Sequence, residues 1–200
     1  MFNQLHISAG NRKLGAIPSV SLPAVITCRK NAPCAKDCYA RKIERLYKNV
    51  RNSYAENLEI YKTSPDSYFM QLNVAVMMNK YFRLHVSGDF PTADYFKRCI
   101  AVAVANPDCK ILAFTKQYEI VNAWIDENGD LPANFKVIFS EWPGLEMNNP
   151  HGLPESHVIF KDTAICDEWK ICGGNCTECA CRGVGCWELK AGEHIAFYKH

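Results

Sequence analysis

Apolar residues recur every three or four positions from Tyr39 onward, at Tyr39, Ile43, Leu46, Val50, Tyr54, Leu58 and Tyr61. That spacing keeps them on one face of a helix and predicts a helix from Ala35 to about Tyr61. Ser64-Pro65-Asp66 breaks the pattern and opens a second helix, running to about Lys80. The rhythm then changes to short, nearly continuous apolar runs. "YFRLHVSG" (Tyr81–Gly88), "KILAFTK" (Lys110–Lys116), "FKVIFSEW" (Phe135–Trp142) and "HVIFK" (His157–Lys161) read as strands buried on both faces. Between them lie two helical segments, Thr92–Asn106, ended by Pro107, and Tyr118–Asn128, closed by Gly129. "VSLPAVITC" (Val20–Cys28) reads as an earlier strand, although Pro23 interrupts it, and "HIAFY" as a last one. Alternating strands and helices imply βαβ units with right-handed crossovers. The expected fold is therefore α/β, with about five or six strands in a partial (β/α) barrel or an open parallel sheet. In either form ligands gather at the carboxyl ends of the strands. Those ends carry Cys28, then "HVSGDF" (His85–Phe90), "FTKQ" (Phe114–Gln117) and "FSEW" (Phe139–Trp142).

Composition changes sharply toward Cys and Gly from Cys166 on. The expected organisation is a β/α domain over residues 1–163 and a Cys-rich, metal-binding extension over residues 164–200. A net charge of +2 makes no strong claim on nucleic acid or membrane. No apolar run approaches the roughly 18 residues of a membrane helix. The N-terminal "MFNQLHISAGNRKLG" lacks the marks of a signal peptide, so the chain reads as cytoplasmic.

In a reducing compartment 11 cysteines call for metal or redox chemistry rather than disulfides. Cys99 and Cys109 stand alone in apolar segments and read as small buried hydrophobes. The rest form two sets. In the first, Cys28, Cys34 and Cys38 are separated by five and then three residues and followed by Tyr39. Structural zinc closes with four ligands, and only three are local here. The nearest histidine, His6, has nothing in the sequence to place it nearby. A cubane cluster on three thiolates would keep one iron open to a small molecule; a closed zinc site completed by a distant residue is the alternative. The second set is "CDEWKICGGNCTECACRGVGCW". The spacing of Cys176 and Cys179 suits zinc or a cluster. The expected ligands are Cys166, Cys176, Cys179 and Cys186; six thiols exceed four ligands, which leaves Cys172 and Cys181 as the spare pair. A cluster is expected there because the first set implies one, with zinc as the alternative.

A strand followed by a three-cysteine loop, with an aromatic beside the last cysteine, resembles the radical S-adenosylmethionine (SAM) enzymes. More specifically, "SLPAVITC…CAKDCYARK", "FRLHVSGDF", "AFTK" and the closing "CWELKAGEHIAFYKH" make the chain similar to the phage gene-product-88-like family, from about Lys13 to His200. Members occur in phages and prophages, which implies expression in a host cytoplasm. The wider resemblance implies a [4Fe–4S] cluster on Cys28, Cys34 and Cys38, whose open iron binds SAM beside Tyr39. It implies that Ser87, Gly88 and Asp89 meet the SAM amino group, with Asp89 as acceptor. Lys116 and Ser140 would reach its carboxylate or ribose. Plainer readings stand beside these: the Ser87–Asp89 stretch as a strand-to-helix turn capped by Asp89 or Thr92, His85 as an interior histidine, Glu141 and Trp142 as mouth residues.

The functional expectation is an iron–sulfur redox enzyme with an auxiliary cluster in the tail. It would take a small molecule at the open iron and electrons from a donor, its pocket open or completed by a partner such as a second copy of the chain. The alternatives are a zinc- or cluster-stapled binding module and a two-cluster electron carrier or redox sensor.

Overall fold

The computed structural model describes residues 4–163 and 165–199. One eight-stranded sheet runs through it, built from β1 (Ile7–Ser8), β2 (Ser19–Val20), β3 (Tyr81–Leu84), β4 (Lys110–Thr115), β5 (Phe135–Ser140), β6 (Glu155–Ile159), β7 (Lys170–Ile171) and β8 (His194–Tyr198). The order is β1-β2-β3-β4-β5-β6-β8-β7, and every pair is parallel except β1 with β2. The helices are α1 (Tyr39–Leu46), α2 (Lys48–Thr63), α3 (Pro65–Met77), α4 (Ala93–Ala105), α5 (Tyr118–Asn128) and α6 (Cys176–Arg182).

The apolar runs in β3 to β5 reflect burial on both faces. Phe82, Leu84, Ile111, Ala113, Val137 and Phe139 pack with Leu72 and Val76 of α3, Phe96 and Ile100 of α4, and Val121 and Ile125 of α5. The residues between them, Leu112 and Ile138, point the other way and meet Ala180, Cys186, Trp187 and Leu189. Helices thus cover one face of the sheet, and the Cys-rich segment covers the other. The boundary expected at residue 163 falls between β6 and β7, and the C-terminal segment adds both β7 and β8 to the common sheet. Trp187 anchors it, with its ring 5.0 Å from that of Tyr81 and its Nε1 donating to the Cys176 carbonyl at 3.2 Å.

Several expected elements hold to within a residue or two, among them α5 over Tyr118–Asn128 and β8 over "HIAFY". Three do not. The strand expected over Val20–Cys28 is only the pair Ser19–Val20. Pro23 has no N–H for a ladder, and Val25 adopts φ +69°, which no strand accommodates. The single helix expected from Ala35 to Tyr61 is a 3-10 turn at Pro33–Lys36 followed by α1 and α2, which break at Tyr47, extended at φ −119° and ψ 100°. The strand expected over Tyr81–Gly88 stops at Leu84, because His85 turns left-handed at φ +56°. Among the described residues no helix is long and apolar enough to cross a membrane. Cys99 and Cys109 are both buried, as their apolar surroundings predict.

Candidate functional site

The chain leaves β2 over the carboxyl end of the sheet and is tied down before it reaches the thiols. Leu22 N donates to the Ser87 carbonyl at 3.0 Å. Glu44 of α1 accepts from Ala24 N at 2.8 Å and from Ser87 Oγ at 2.7 Å. Thr27 Oγ1 donates to the Pro23 carbonyl at 2.9 Å and accepts from Asp89 N at 3.2 Å. Cys28 follows this anchored stretch, Cys34 sits in the 3-10 turn, and Cys38 is the N-cap residue of α1. Tyr39 turns its hydroxyl onto the Val86 carbonyl at 2.6 Å. The three-cysteine loop and the Ser87–Asp89 turn are therefore one hydrogen-bonded unit.

The second set of thiols faces the first. Cys176 and Cys179 lie three residues apart on α6, on one face of that helix. The helix is capped by Asn175, whose side chain accepts from Glu178 N at 3.2 Å. Cys186 is buried, and Cys172, Cys176 and Cys179 pack with it against the sheet. Cys172 is held beside β8 by its N–H to the Ala196 carbonyl at 2.9 Å, and Gly174 N approaches its sulfur at 3.4 Å.

Between the sets lies one cavity of about 730 Å³, within the range of small-molecule sites. Cys28, Cys34, Cys38, Tyr39, Ser87, Gly88, Asp89, Lys116, Ser140, Cys176, Cys179 and Cys186 all line it, so the structure gathers twelve of the thirteen residues singled out from the sequence. The thirteenth, Cys166, is exposed and lies off the cavity, as does Cys181. Cys172 stands where Cys166 was expected.

The sequence reading missed Arg83, Glu44 and Thr27. Arg83 carried a signal, since a lone arginine inside an apolar strand has to face something. Here it faces the cavity, stacked over Phe114 at 4.3 Å, with Nε buried and without a hydrogen-bond partner. His85 Nδ1 is likewise buried and without a partner, while its Nε2 meets Tyr95 Oη at 3.1 Å. Burial, helped by the Arg83 charge, pushes the His85 imidazole down to about 3, so it is neutral.

Burial also raises the thiols. It pushes Cys28 up to about 12, aided by the Asp89 charge, and Cys186 up to about 12, opposed by Arg83. Cys34, Cys176 and Cys179 shift upward for the same reason, with Lys116 opposing at Cys34 and Arg83 at Cys176. Such thiols keep their protons until a metal displaces them. Among the described residues no three thiols lie with all their sulfurs within 4.8 Å of one another. A tetrahedral zinc ion would bring thiolates to about 3.8 Å.

Asp89 has both oxygens engaged. Oδ1 accepts from Thr115 Oγ1 at 2.6 Å and Phe90 N at 2.8 Å, and Oδ2 from Lys116 N at 2.8 Å. It clamps the end of β4 to the turn after β3, and the cap of α4 is Thr92, which accepts from Tyr95 N at 3.1 Å. Ser87 Oγ is spent on Glu44, and the Ser140 carbonyl on the Tyr118 hydroxyl. Burial pushes the Asp89 carboxyl up to about 6, against its three hydrogen bonds. An unfolded aspartate titrates near about 4, so the native state keeps a proton that the unfolded chain has lost. Stability should fall as pH rises from about 4 to about 6, by a few kcal/mol in all. Urea unfolding across that range should show a slope that Asp89→Asn removes; an identical slope in the variant would refute this account.

Fold and site together define a thiol-rich α/β protein with a ligand-sized cavity at the carboxyl ends of its parallel strands. Residues 3–159 match the family model described as Gene product 88, and the chain belongs to that family. It is 29% identical over 129 residues to the Gene 88 protein of Mycobacterium phage L5, covering 57% of this chain and 54% of that protein. It is 28% identical over 156 residues to the Gene 88 protein of Mycobacterium phage D29, covering 70% of this chain and 64% of that protein. The chain thus aligns with less than two thirds of the length of either relative. The family match includes the first cysteine set and ends before Cys166. No solved structure matches.

Proposed function

We propose that this is an iron–sulfur protein with two clusters, one held by Cys28, Cys34 and Cys38 and one by Cys172, Cys176, Cys179 and Cys186, which carries out redox chemistry on a small molecule in the cavity between them. The observation that carries this reading is the convergence of seven thiols on a single ligand-sized cavity. The donor set suits iron–sulfur ligation, since thiolates are the usual ligands of such clusters. Clusters there would supply one-electron transfer, with an open coordination position at the three-thiolate site.

The chain's own residues have definite work in this scheme. Arg83 and Lys116 bring positive charge to sites that gain negative charge as thiols ionise. The buried Arg83 Nε and His85 Nδ1 offer unspent hydrogen-bonding capacity toward a bound molecule. Glu44, Thr27 and Asp89 hold the first loop against the strand ends, which keeps its three sulfurs in place. The molecule in question is S-adenosylmethionine on the finer reading, with Lys116 near its carboxylate. Because Asp89 and Ser87 are engaged within the protein, its amino group would be met by carbonyls of that turn rather than by their side chains.

Anaerobic purification, with iron, sulfide and zinc analysis, tests the proposal. Two cubane clusters predict about eight irons and eight sulfides. A colourless protein containing zinc alone would overturn it in favour of a zinc-stapled binding module. Given iron, SAM with dithionite should yield 5′-deoxyadenosine. No product and no change in the cluster's electron paramagnetic resonance would remove SAM and leave an electron carrier.

A further inference from the structure

Behind β6 and β8, on the face turned away from the thiol cavity, three ligand-type atoms converge. Ser156 and Val158 of β6 and Ile195 of β8 face the cavity, so Glu155, His157 and His194 face the other way. Glu155 and His194 are directly paired in the strand register, and His157 lies two residues along the same strand face. His157 Nε2 is 2.9 Å from His194 Nδ1. Glu155 Oε2 is 3.4 Å from His194 Nδ1 and 3.8 Å from His157 Nε2. Among the described residues this is the group of three whose ligand atoms all lie within 4.8 Å of one another.

We propose that Glu155, His157 and His194 bind one divalent first-row transition ion, independently of the cysteines. The chemistry of the donors sets the class. Two imidazoles and one carboxylate suit zinc, iron(II), cobalt(II) or manganese(II), whereas magnesium and calcium favour all-oxygen shells. The spacing fits as well, since ligands about 2.0–2.1 Å from a tetrahedral ion stand roughly 3.4 Å apart. The supporting residues follow the pattern of a metal site. His157 Nδ1 is bonded to the Glu141 carboxylate, which fixes the tautomer that turns the Nε2 lone pair toward the other two ligands. The His157 ring is stacked on Trp169, 4.2 Å between centroids and 3° from parallel, so it cannot swing away. Glu155 Oε1 is held by Asn149 Nδ2 at 2.8 Å, leaving Oε2 for the ion. The side chain of His157 is 8% exposed, but those of Glu155 and His194 are 19% and 29% exposed, so solvent reaches the site. Three protein ligands leave at least one position for water or a small anion.

Cobalt(II) titration of the chelator-stripped protein under anaerobic conditions tests this. Wild type should bind one more cobalt ion than His194→Ala, and that ion should give visible d–d bands without thiolate charge transfer. Cys176→Ser should keep it, because the two sites share no ligand. Glu141→Gln should weaken it by roughly 10–100-fold, the usual effect of losing a carboxylate behind a ligating histidine. If His194→Ala binds as many cobalt ions as wild type with the same affinities, the proposal fails and the triad is a hydrogen-bonded network only. Should His194→Ala fail to fold, Glu155→Gln, which preserves size, decides by the same criterion.

Discussion

On the proposed two-cluster reading, a Cys172→Ser variant should lose the whole C-terminal cluster, about four irons and four sulfides, while Cys166→Ser should keep it. The contrast is sharp because the two residues lie only six apart in sequence and occupy different environments. Cys172 lines the cavity with Cys176, Cys179 and Cys186, and packs with them against the sheet. Its backbone is pinned to β8, and its sulfur receives the Gly174 N–H at 3.4 Å. Cys166 is exposed and does not line that cavity. Anaerobic reconstitution followed by iron and sulfide analysis would report the difference directly, and both variants should retain the cluster proposed for the Cys28 loop. Iron lost from Cys166→Ser but not from Cys172→Ser would reverse the ligand assignment.

Cys172 also marks the limit of what could be read in the sequence. Cys176 and Cys179 declare themselves through local spacing, because a helix places residues three apart on one face. What brings Cys172 to them is the pairing of β7 with β8, a contact across 24 residues between Ile171 and Ala196 that leaves no local trace. Two-residue strands such as β1 and β7 have no periodicity to detect. The break at Tyr47 was invisible for a different reason. Apolar spacing continues through "ERLYKNV", yet Leu46 and Tyr47 are 60% and 54% exposed, so the stripe there does not follow a buried face. Conversely, β3 to β5 were legible because a parallel strand covered on both sides must be apolar at nearly every position. Once those strands were placed, the rule that ligands gather at their carboxyl ends put Cys28, the Ser87–Asp89 turn, Lys116 and Ser140 on one rim, and they do share one cavity. The Glu155, His157 and His194 group could not have been found this way, since it depends on the register of β6 with β8.

Gly88→Ala should be among the most destabilising single methyl additions in the protein. Gly88 adopts φ +79°, where any side chain costs on the order of 1 kcal/mol. A Cβ there would also stand 2.5 Å from Thr27 Oγ1, 2.8 Å from the Leu22 carbonyl oxygen and 2.9 Å from Leu22 Cβ. Two of those three atoms are fixed by the backbone, and Thr27 is committed to Pro23 and Asp89, so the collision cannot be relieved by rotating a side chain. Overpacking of that kind adds about 1–3 kcal/mol. In a chain this long the total should lower Tm by roughly 5–15 °C. Gly129→Ala supplies the comparison, since Gly129 has φ +83° but nothing within 4 Å of an added Cβ. It should show the conformational cost alone. The two variants should differ in the site as well. The base of the three-cysteine loop rests on Gly88, so Gly88→Ala should lower metal occupancy at Cys28, Cys34 and Cys38, while Gly129→Ala leaves it unchanged. Equal destabilisation by both, with full occupancy in each, would mean that the turn after β3 does not support the thiol loop.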